Sequence, residues 1–490
     1  LYRTAGASSG TTLRRTVANQ KSARSRPKSK PAPAAQPLAV IILAAGAGKR
    51  MNSRLPKVLQ PLAGRPLLQY VLDTARSLNP AAIHVVYGHG GEAVPKAFAH
   101  EAVSWVLQAE QLGTGHAVMQ AAPKLSADQR VLILYGDGPL ITTQTLRALL
   151  QAAGRDQVGL LTVIASDPAG YGRVLRNAGG RVQAIVEEED ATAKQRRIVE
   201  CNTGVMTLPA QRLTKWLGRL NNRNAQREYY LTDVIALAVR DRVAVKPVIA
   251  ADEQEVRGIN DRMQLAAAEN TWRARQAHKL MLDGAILIDP ARVDVRGTVS
   301  VGRDVLIDVN VVLEGDVRLG DGVKIGPNCL IRNTQIEAGT EVFANCVIDR
   351  AVIGPDCWIG PFARLRPESV LAAKVHIGNF VELKKTRIGA GSKANHLSYL
   401  GDATIGAGVN VGAVTVTANY DGVNKWPTTM EDGVFIGSGS MLVAPVVIGA
   451  GATIGAGSTI SRAAPAGQLT IARSRQVSIP GWKRPTRRGT

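Results

Sequence analysis

From about residue 284 an aliphatic side chain recurs every six positions, and few folds tolerate that period. Val301, Ile307, Leu313, Leu319, Ile325 and Ile331 form one series. Ile353, Ile359, Leu365, Leu371, Ile377 and Leu383 form a second, and Ile436, Leu442, Ile448, Ile454 and Ile460 a third. Glycine often follows, as at Gly302, Gly326, Gly354, Gly437 and Gly455. Such a repeat marks a parallel β-helix, in which three hexads close one triangular coil with the aliphatic residues stacked inside. The period fails over residues 417–433, which carry Tyr420, Lys425 and Trp426. Insertions into a solenoid gather on one face, often the binding face, so this loop is a candidate functional element. Exposed solenoid faces are usually covered by caps or self-association, which predicts a homo-oligomer.

Residues 38–262 follow another grammar. Apolar runs at Leu38–Leu43, Ile83–Tyr87, Val131–Leu134 and Gly159–Ile164 alternate with amphipathic stretches such as Leu67–Leu78 and Thr145–Ala153. This alternation predicts a Rossmann-like α/β domain with a mostly parallel sheet. Its ligands belong beyond the carboxyl ends of the strands. Residues 263–283 read as a linking helix, 284–470 as the β-helix, and 471–490 as a basic tail.

The first apolar run leads into Ala-Ala-Gly46-Ala-Gly48-Lys-Arg50-Met, and Pro56-Lys57 follows. Glycines let the backbone approach a phosphate chain, and loop N–H groups can cradle anions. Arg50 and Lys57 add the mobile cations a triphosphate needs. The P-loop pattern is excluded, because Arg50 stands where Ser or Thr is required. The dinucleotide fingerprint is excluded because Met51 replaces its third glycine. The loop therefore reads as a handler of nucleoside triphosphates.

The formal charge of +21 raises the question of nucleic acid, but its distribution argues against that. Residues 1–37 carry eight Lys/Arg and no acid, and residues 471–490 carry six and no acid. Those ends supply 14 of the 21 charges. Residues 1–37, rich in Ser, Pro, Arg and Lys, read as a disordered extension. Cleavage after Ala47, in the manner of a signal peptide, would destroy the Gly-rich loop. No apolar run has the length of a membrane span. The four cysteines show no C-x-x-C pairing, which favours reduced thiols in a cytoplasmic protein over a disulfide framework or zinc site.

Together these features resemble one family closely, over about residues 38–485. It is the bifunctional bacterial N-acetylglucosamine-1-phosphate uridyltransferase/glucosamine-1-phosphate acetyltransferase. The matching motifs include Leu43 to Met51, Leu55-Pro-Lys-Val-Leu59, Leu107 to His116, Tyr135-Gly-Asp137, Gly170-Tyr-Gly-Arg173, Ile185-Val-Glu187, Asn202-Thr-Gly204 and Gly258-Ile-Asn260. In the repeat region they are Pro361 to Pro367, Gly378 to Lys384, His396 to Asp402 and Ala418 to Gly422.

The resemblance implies a left-handed β-helix, a homotrimer formed through it, and two activities. One moves an acetyl group from acetyl-CoA to glucosamine 1-phosphate. The other joins N-acetylglucosamine 1-phosphate to UTP with release of pyrophosphate. For uridylyl transfer it implies nucleotide contacts at Leu43, Gly46, Gln108, Gly113, Thr114 and Tyr135, with Gln108 reading uracil. Arg50 and Lys57 would neutralise the phosphates, and Asp137 and Asn260 would hold Mg²⁺. Gly172, Glu187 and Asn202 would hold the acetamido sugar. For acetyl transfer it implies His396 as base, oriented by Glu382. Arg366, Lys384, Tyr399, Asn410 and Lys425 would hold the sugar phosphate. Asn419 and Tyr420 would line the thioester, and Ala413, Ser438, Ala456 and Arg473 would contact CoA.

Three positions depart from the family's habit. Gly138 fills a variable slot, Asp261 follows Asn260 where Asn is common, and Val414 stands where Gly is usual. They predict a looser loop, an added charge near the metal, and an altered acetyl-CoA affinity. Two other readings compete with two activities: a nucleotidyltransferase whose β-helix only oligomerises it, and a non-enzymatic scaffold. The motifs around His396 oppose the first, and intact Arg50, Lys57, Asp137 and Asn260 oppose the second.

Overall fold

A seven-stranded path forms the heart of the N-terminal region. In the computed structural model, which describes residues 36–46 and 48–484, its order is Val245–Ile249, Val158–Ile164, Glu200–Pro209, Arg130–Tyr135, Leu38–Leu43, Ala82–Tyr87, Ser104–Leu107. All neighbours are parallel except Glu200–Pro209, which runs antiparallel to both strands beside it. A hairpin of Arg173–Arg176 and Val182–Val186 attaches to that strand. Leu38–Leu43 is central and buried on both faces, as its unbroken aliphatic sequence requires. One face packs against Thr114–Ala121 and Ala210–Leu217, the other against Leu67–Arg76 and Thr143–Ala152. Leu43 pairs with Tyr135, so the Gly-rich loop and Asp137 emerge side by side at the carboxyl edge. The expected extension lies outside the described residues, apart from its last two.

The helix Arg262–Leu282 follows, capped by Asp261, whose Oδ1 accepts from Gln264 N at 2.8 Å. The repeat region then forms a left-handed parallel β-helix. One eleven-stranded sheet lines one side, and a seventeen-stranded sheet wraps the other two. In one coil, Lys393–His396 joins the first sheet while Tyr399–Gly401 and Ala403–Ile405 join the second.

The three aliphatic series fill a single interior column. Apart from the insertion before Met430, the breaks between them are five-residue steps, such as Ile331 to Ile336 and Leu383 to Ile388. There a coil holds 17 residues, as in the pairing of Ile388 with Ile405, instead of the 18 between Ile359 and Ile377. The missing residue comes from a corner, so the interior stays in register. Cys329, Cys346 and Cys357 lie buried in this column and Cys201 in the N-terminal core, all as free thiols. Among the described residues no helix is long and apolar enough to cross a membrane.

Candidate active sites

The N-terminal site is built at the carboxyl edge of the sheet. Gly48 adopts φ +57°, and a Cβ there would lie 2.7 Å from Lys57 Cβ. The loop thus packs directly on the residue whose ammonium matters most. Lys57 is further fixed by a short 3₁₀ turn, Lys57–Leu59, whose Val58 and Leu59 are buried. Its Nζ pairs with Asp137 and donates to Asn260 Oδ1 at 3.0 Å. This ion pair is largely shielded, with side-chain exposures of 13% and 12%. Gly46 faces open space, for a Cβ there would meet nothing within 4 Å. Arg50 is exposed on the turn Lys49–Met51, and no contact joins it to Asp137 among the described residues.

Gln108 is buried beyond Ser104–Leu107. Its Nε2 donates to Gly113 O at 3.1 Å and to His116 Nδ1 at 3.1 Å. Gly113 must be glycine, since φ is +105° and a Cβ would lie 2.8 Å from Tyr229 O. Thr114 Oγ1 accepts from Leu231 N at 3.1 Å.

Gly172, Glu187 and Asn202 also converge. A Cβ on Gly172 would come within 3.0 Å of Glu187 Oε2, and Gly172 O accepts from Asn202 N at 2.8 Å. Burial pushes the Glu187 carboxyl up from its ordinary value, against the Thr232 hydroxyl that donates to it at 2.7 Å. Tyr135 ties the groups together. It hydrogen-bonds Thr114, and burial, then the charges of Glu187 and Asp137, push its phenol upward. Its ring needs Gly204, where a Cβ would lie 2.3 Å from Cε2.

Asp137 and Asn260 offer two hard oxygens, the ligand type Mg²⁺ takes. An ammonium already sits between them, so the pocket is a cation pocket and the donor set fits such an ion. No cluster of three or more His, Cys, Asp or Glu suited to a metal occurs among the described residues. An ion at this pocket would therefore draw its remaining ligands from phosphate and water. Asp261, expected to add charge near the metal, is engaged as the helix cap.

The β-helix separates its residues into two groups. On the seventeen-stranded sheet, Glu382 pairs across to Tyr399, and Arg366 Nη1 donates to Glu382 Oε1 at 2.9 Å. Within one chain Arg366 engages the Glu382 carboxylate, and the His396 ring meets Asn379 instead of Glu382. Lys384 lies beside Lys425 of the insertion. Contact with Lys425, then burial, lowers its ammonium from the usual value, and Arg366 adds to the effect while Asp402 opposes it. Asn419 Nδ2 donates to Asp402 Oδ2 at 2.5 Å. The insertion is ordered around Asp421, which accepts from Trp426 Nε1 at 2.7 Å and Asn424 N at 2.6 Å. Those bonds hold the Asp421 carboxyl at about 2. Tyr420 forms a bridge to Lys425. Three cations thus crowd one patch, suited to a phosphate.

The second group runs along one edge of the prism. His396 ends a strand of the eleven-stranded sheet, and its Nδ1 lies 3.0 Å from Asn379 Oδ1 on the preceding coil. Val414 N donates to His396 O, Gly439 N to Ala413 O, and Gly457 N to Ser438 O. Arg473 Nη1 then donates to Ala456 O at 2.7 Å. His396, Ala413, Ser438, Ala456 and Arg473 therefore stack on successive coils. At ~4.8 Å per strand spacing the column is roughly 19 Å long. Asn410 belongs to neither group's surface: it pairs with Lys393 and Phe435 on the eleven-stranded sheet, away from the three cations.

Sequence reasoning missed Asn379, Asp402, Thr232 and His116 as contacts of the predicted residues. Asn379 carried a usable signal, because it lies one 17-residue coil before His396 and inside a matched motif.

A phosphate-handling α/β sheet joined to a hexapeptide solenoid with its own polar site defines a two-site transferase. Residues 40–206 match the MobA-like NTP transferase domain, 295–396 the GMPPB C-terminal domain, and 427–462 the bacterial transferase hexapeptide of six repeats. The chain is 58% identical to the bifunctional protein GlmU of Alkalilimnicola ehrlichii, over 92% of this chain and 98% of that protein. It is 57% identical to those of Stenotrophomonas maltophilia and Stutzerimonas stutzeri, over 92% of this chain and 99% and 100% of theirs. The chain belongs to the bifunctional GlmU family. It is a bifunctional nucleotidyltransferase and N-acetyltransferase of UDP-N-acetylglucosamine synthesis.

Proposed function

We propose that residues 38–262 carry uridylyl transfer, that 263–283 link them to the solenoid, and that 284–470 carry acetyl transfer. In the first reaction an oxygen of N-acetylglucosamine 1-phosphate attacks the α-phosphorus of UTP, and the bond to the β-phosphate breaks. No protein nucleophile is needed, so the residues position and neutralise. Gln108 spends its N–H groups on Gly113 and His116, which leaves Oε1 to accept from the uracil N–H. Gly172, Glu187 and Asn202 hold the sugar. Arg50 and Lys57 neutralise the triphosphate, with Arg50 reaching in from its exposed turn, while Leu43 and Gly46 line the phosphate path. Asp137 and Asn260 hold Mg²⁺, which supplies charge stabilisation at the phosphates when bound.

In the second reaction the amine of glucosamine 1-phosphate attacks the thioester carbon of acetyl-CoA, the C–S bond breaks, and the CoA thiolate takes up a proton. Asn379 Oδ1 accepts from His396 Nδ1–H, so the lone pair of Nε2 is free to take the amine proton. Arg366, Lys384 and Lys425 bind the sugar phosphate, with Tyr399 beside them. Asn419 and Tyr420 face the thioester. CoA lies along the column from Ala413 through Ser438 and Ala456 to Arg473. The separation of Asn410 from the cations favours a site completed by a second copy, as in a homotrimer packed through the solenoid. The substrates are small molecules, no nucleic acid partner is invoked, and the setting is the cytoplasm.

The observation that carries this reading is the cation held between Asp137 and Asn260 at the carboxyl edge of the sheet. Two assays on one preparation test it: thiol release from acetyl-CoA with glucosamine 1-phosphate, and pyrophosphate release from UTP with N-acetylglucosamine 1-phosphate. His396→Ala should abolish only the first and Asp137→Ala only the second. Acetyl transfer by His396→Ala at the wild-type rate would overturn the base assignment.

A further inference from the structure

The two oxygens best suited to a divalent ion both point at one atom of the protein itself, Lys57 Nζ. We infer that this ammonium is the resident cation of the pocket in the nucleotide-free protein, and that a divalent ion enters only together with a triphosphate that draws Lys57 out. The inference rests on Asp137 and Asn260 as the metal ligands.

Shielding gives the exchange its force. With exposures of 13% and 12%, the pair is weakly screened, and withdrawal of the cation alone leaves a carboxylate without a counter-ion. A divalent ion arriving alone meets two protein oxygens and a positive charge already in place. A triphosphate changes both conditions, because it supplies further oxygen ligands and a destination for the ammonium.

Local packing holds the backbone and Cβ of Lys57. Lys57 is pinned by the buried Val58 and Leu59 and by Gly48 against its Cβ. Its flexible four-carbon stem is left to swing. A Cβ on Gly46 would meet nothing within 4 Å, which leaves the loop uncrowded at that glycine. Metal and nucleotide are thereby coupled, and the coupling is reciprocal: each tightens the other.

Mn²⁺ serves as the probe, titrated into the full-length, nucleotide-free protein and followed by electron paramagnetic resonance. Wild type should bind weakly. Lys57→Met, with the charge removed and the length kept, should bind about tenfold tighter or more. Lys57→Gln is the second neutral variant if Lys57→Met melts early, and Lys57→Arg should stay as weak as wild type. Asp137→Asn added to Lys57→Met should erase the gain. A gain that survives Asp137→Asn would overturn the metal-ligand assignment itself. Neutral variants that bind Mn²⁺ no tighter than wild type, while Mn²⁺ binding in the presence of UTP still requires Asp137, would overturn the exchange and leave the ligands standing.

Discussion

Asn379 Oδ1 lies 3.0 Å from His396 Nδ1, one coil before it on the same edge of the prism. An acceptor at that position fixes both the ring and the tautomer, and so decides which nitrogen is available as base. Asn379→Ala should lower acetyl transfer about ten- to a hundredfold, within the share general-base catalysis supplies, and leave uridylyl transfer unchanged. Asn379→Asp keeps the acceptor and adds a negative charge, which raises the imidazole pKa. Its pH–rate profile should shift to higher pH, a readout that loss of structure alone would not produce.

Val414 is the single β-branched residue among the described non-glycine residues at positive φ, at +61°. That conformation costs an ordinary side chain about 1–2 kcal/mol, partly offset in a glycine variant by its freer unfolded chain. Val414→Gly should therefore raise stability by about 1 kcal/mol in thermal denaturation. Its position beside Ala413 and His396 also predicts a changed KM for acetyl-CoA. An identical acetyl-CoA titration for both proteins would remove Val414 from the CoA path.

Gly48 is required twice, by φ +57° and by the 2.7 Å approach to Lys57 Cβ. Gly48→Ala should displace Lys57 and cost uridylyl transfer about a hundredfold, as misplacement of a catalytic group does. Acetyl transfer should stay at the wild-type rate. Undiminished pyrophosphate release would show that the loop does not place Lys57.

Glu187 has its folded pKa above the unfolded value of 4.5, chiefly through burial. Between the two values the folded state binds more protons than the unfolded, so this group's contribution falls as pH rises through the folded pKa. The destabilisation is absent below the unfolded value and complete above the folded one. Glu187→Gln should thus raise the melting temperature at neutral pH and give little gain at pH 4. The same substitution should weaken N-acetylglucosamine 1-phosphate in the uridylyl assay. A melting-temperature gain equal at both pH values would refute the burial argument.

Much of this was legible in the chain because it is local. Hexads reveal a solenoid since every coil repeats the same demand: one aliphatic side chain inward per face. The Gly-rich loop was legible because a left-handed turn at Gly48 leaves few alternatives to glycine. The contacts of Glu382 within the chain were not legible, for a reason that is not local. Spacing puts Glu382 and His396 on neighbouring coils, but a triangular section sends them to different sheets, where Arg366 meets one and Asn379 the other.

By itself, then, the sequence determined the two architectures, the Gly-rich loop and the residue types available for chemistry, because periodicity and glycine placement act through short-range sterics and burial. Tertiary structure alone decided the pairings: Lys57 with Asp137 and Asn260, Lys384 with Lys425, His396 with Asn379, and the column that ends at Arg473. Those contacts join residues up to 203 positions apart, and only the closing of the sheet and the stacking of coils bring their side chains within hydrogen-bonding range.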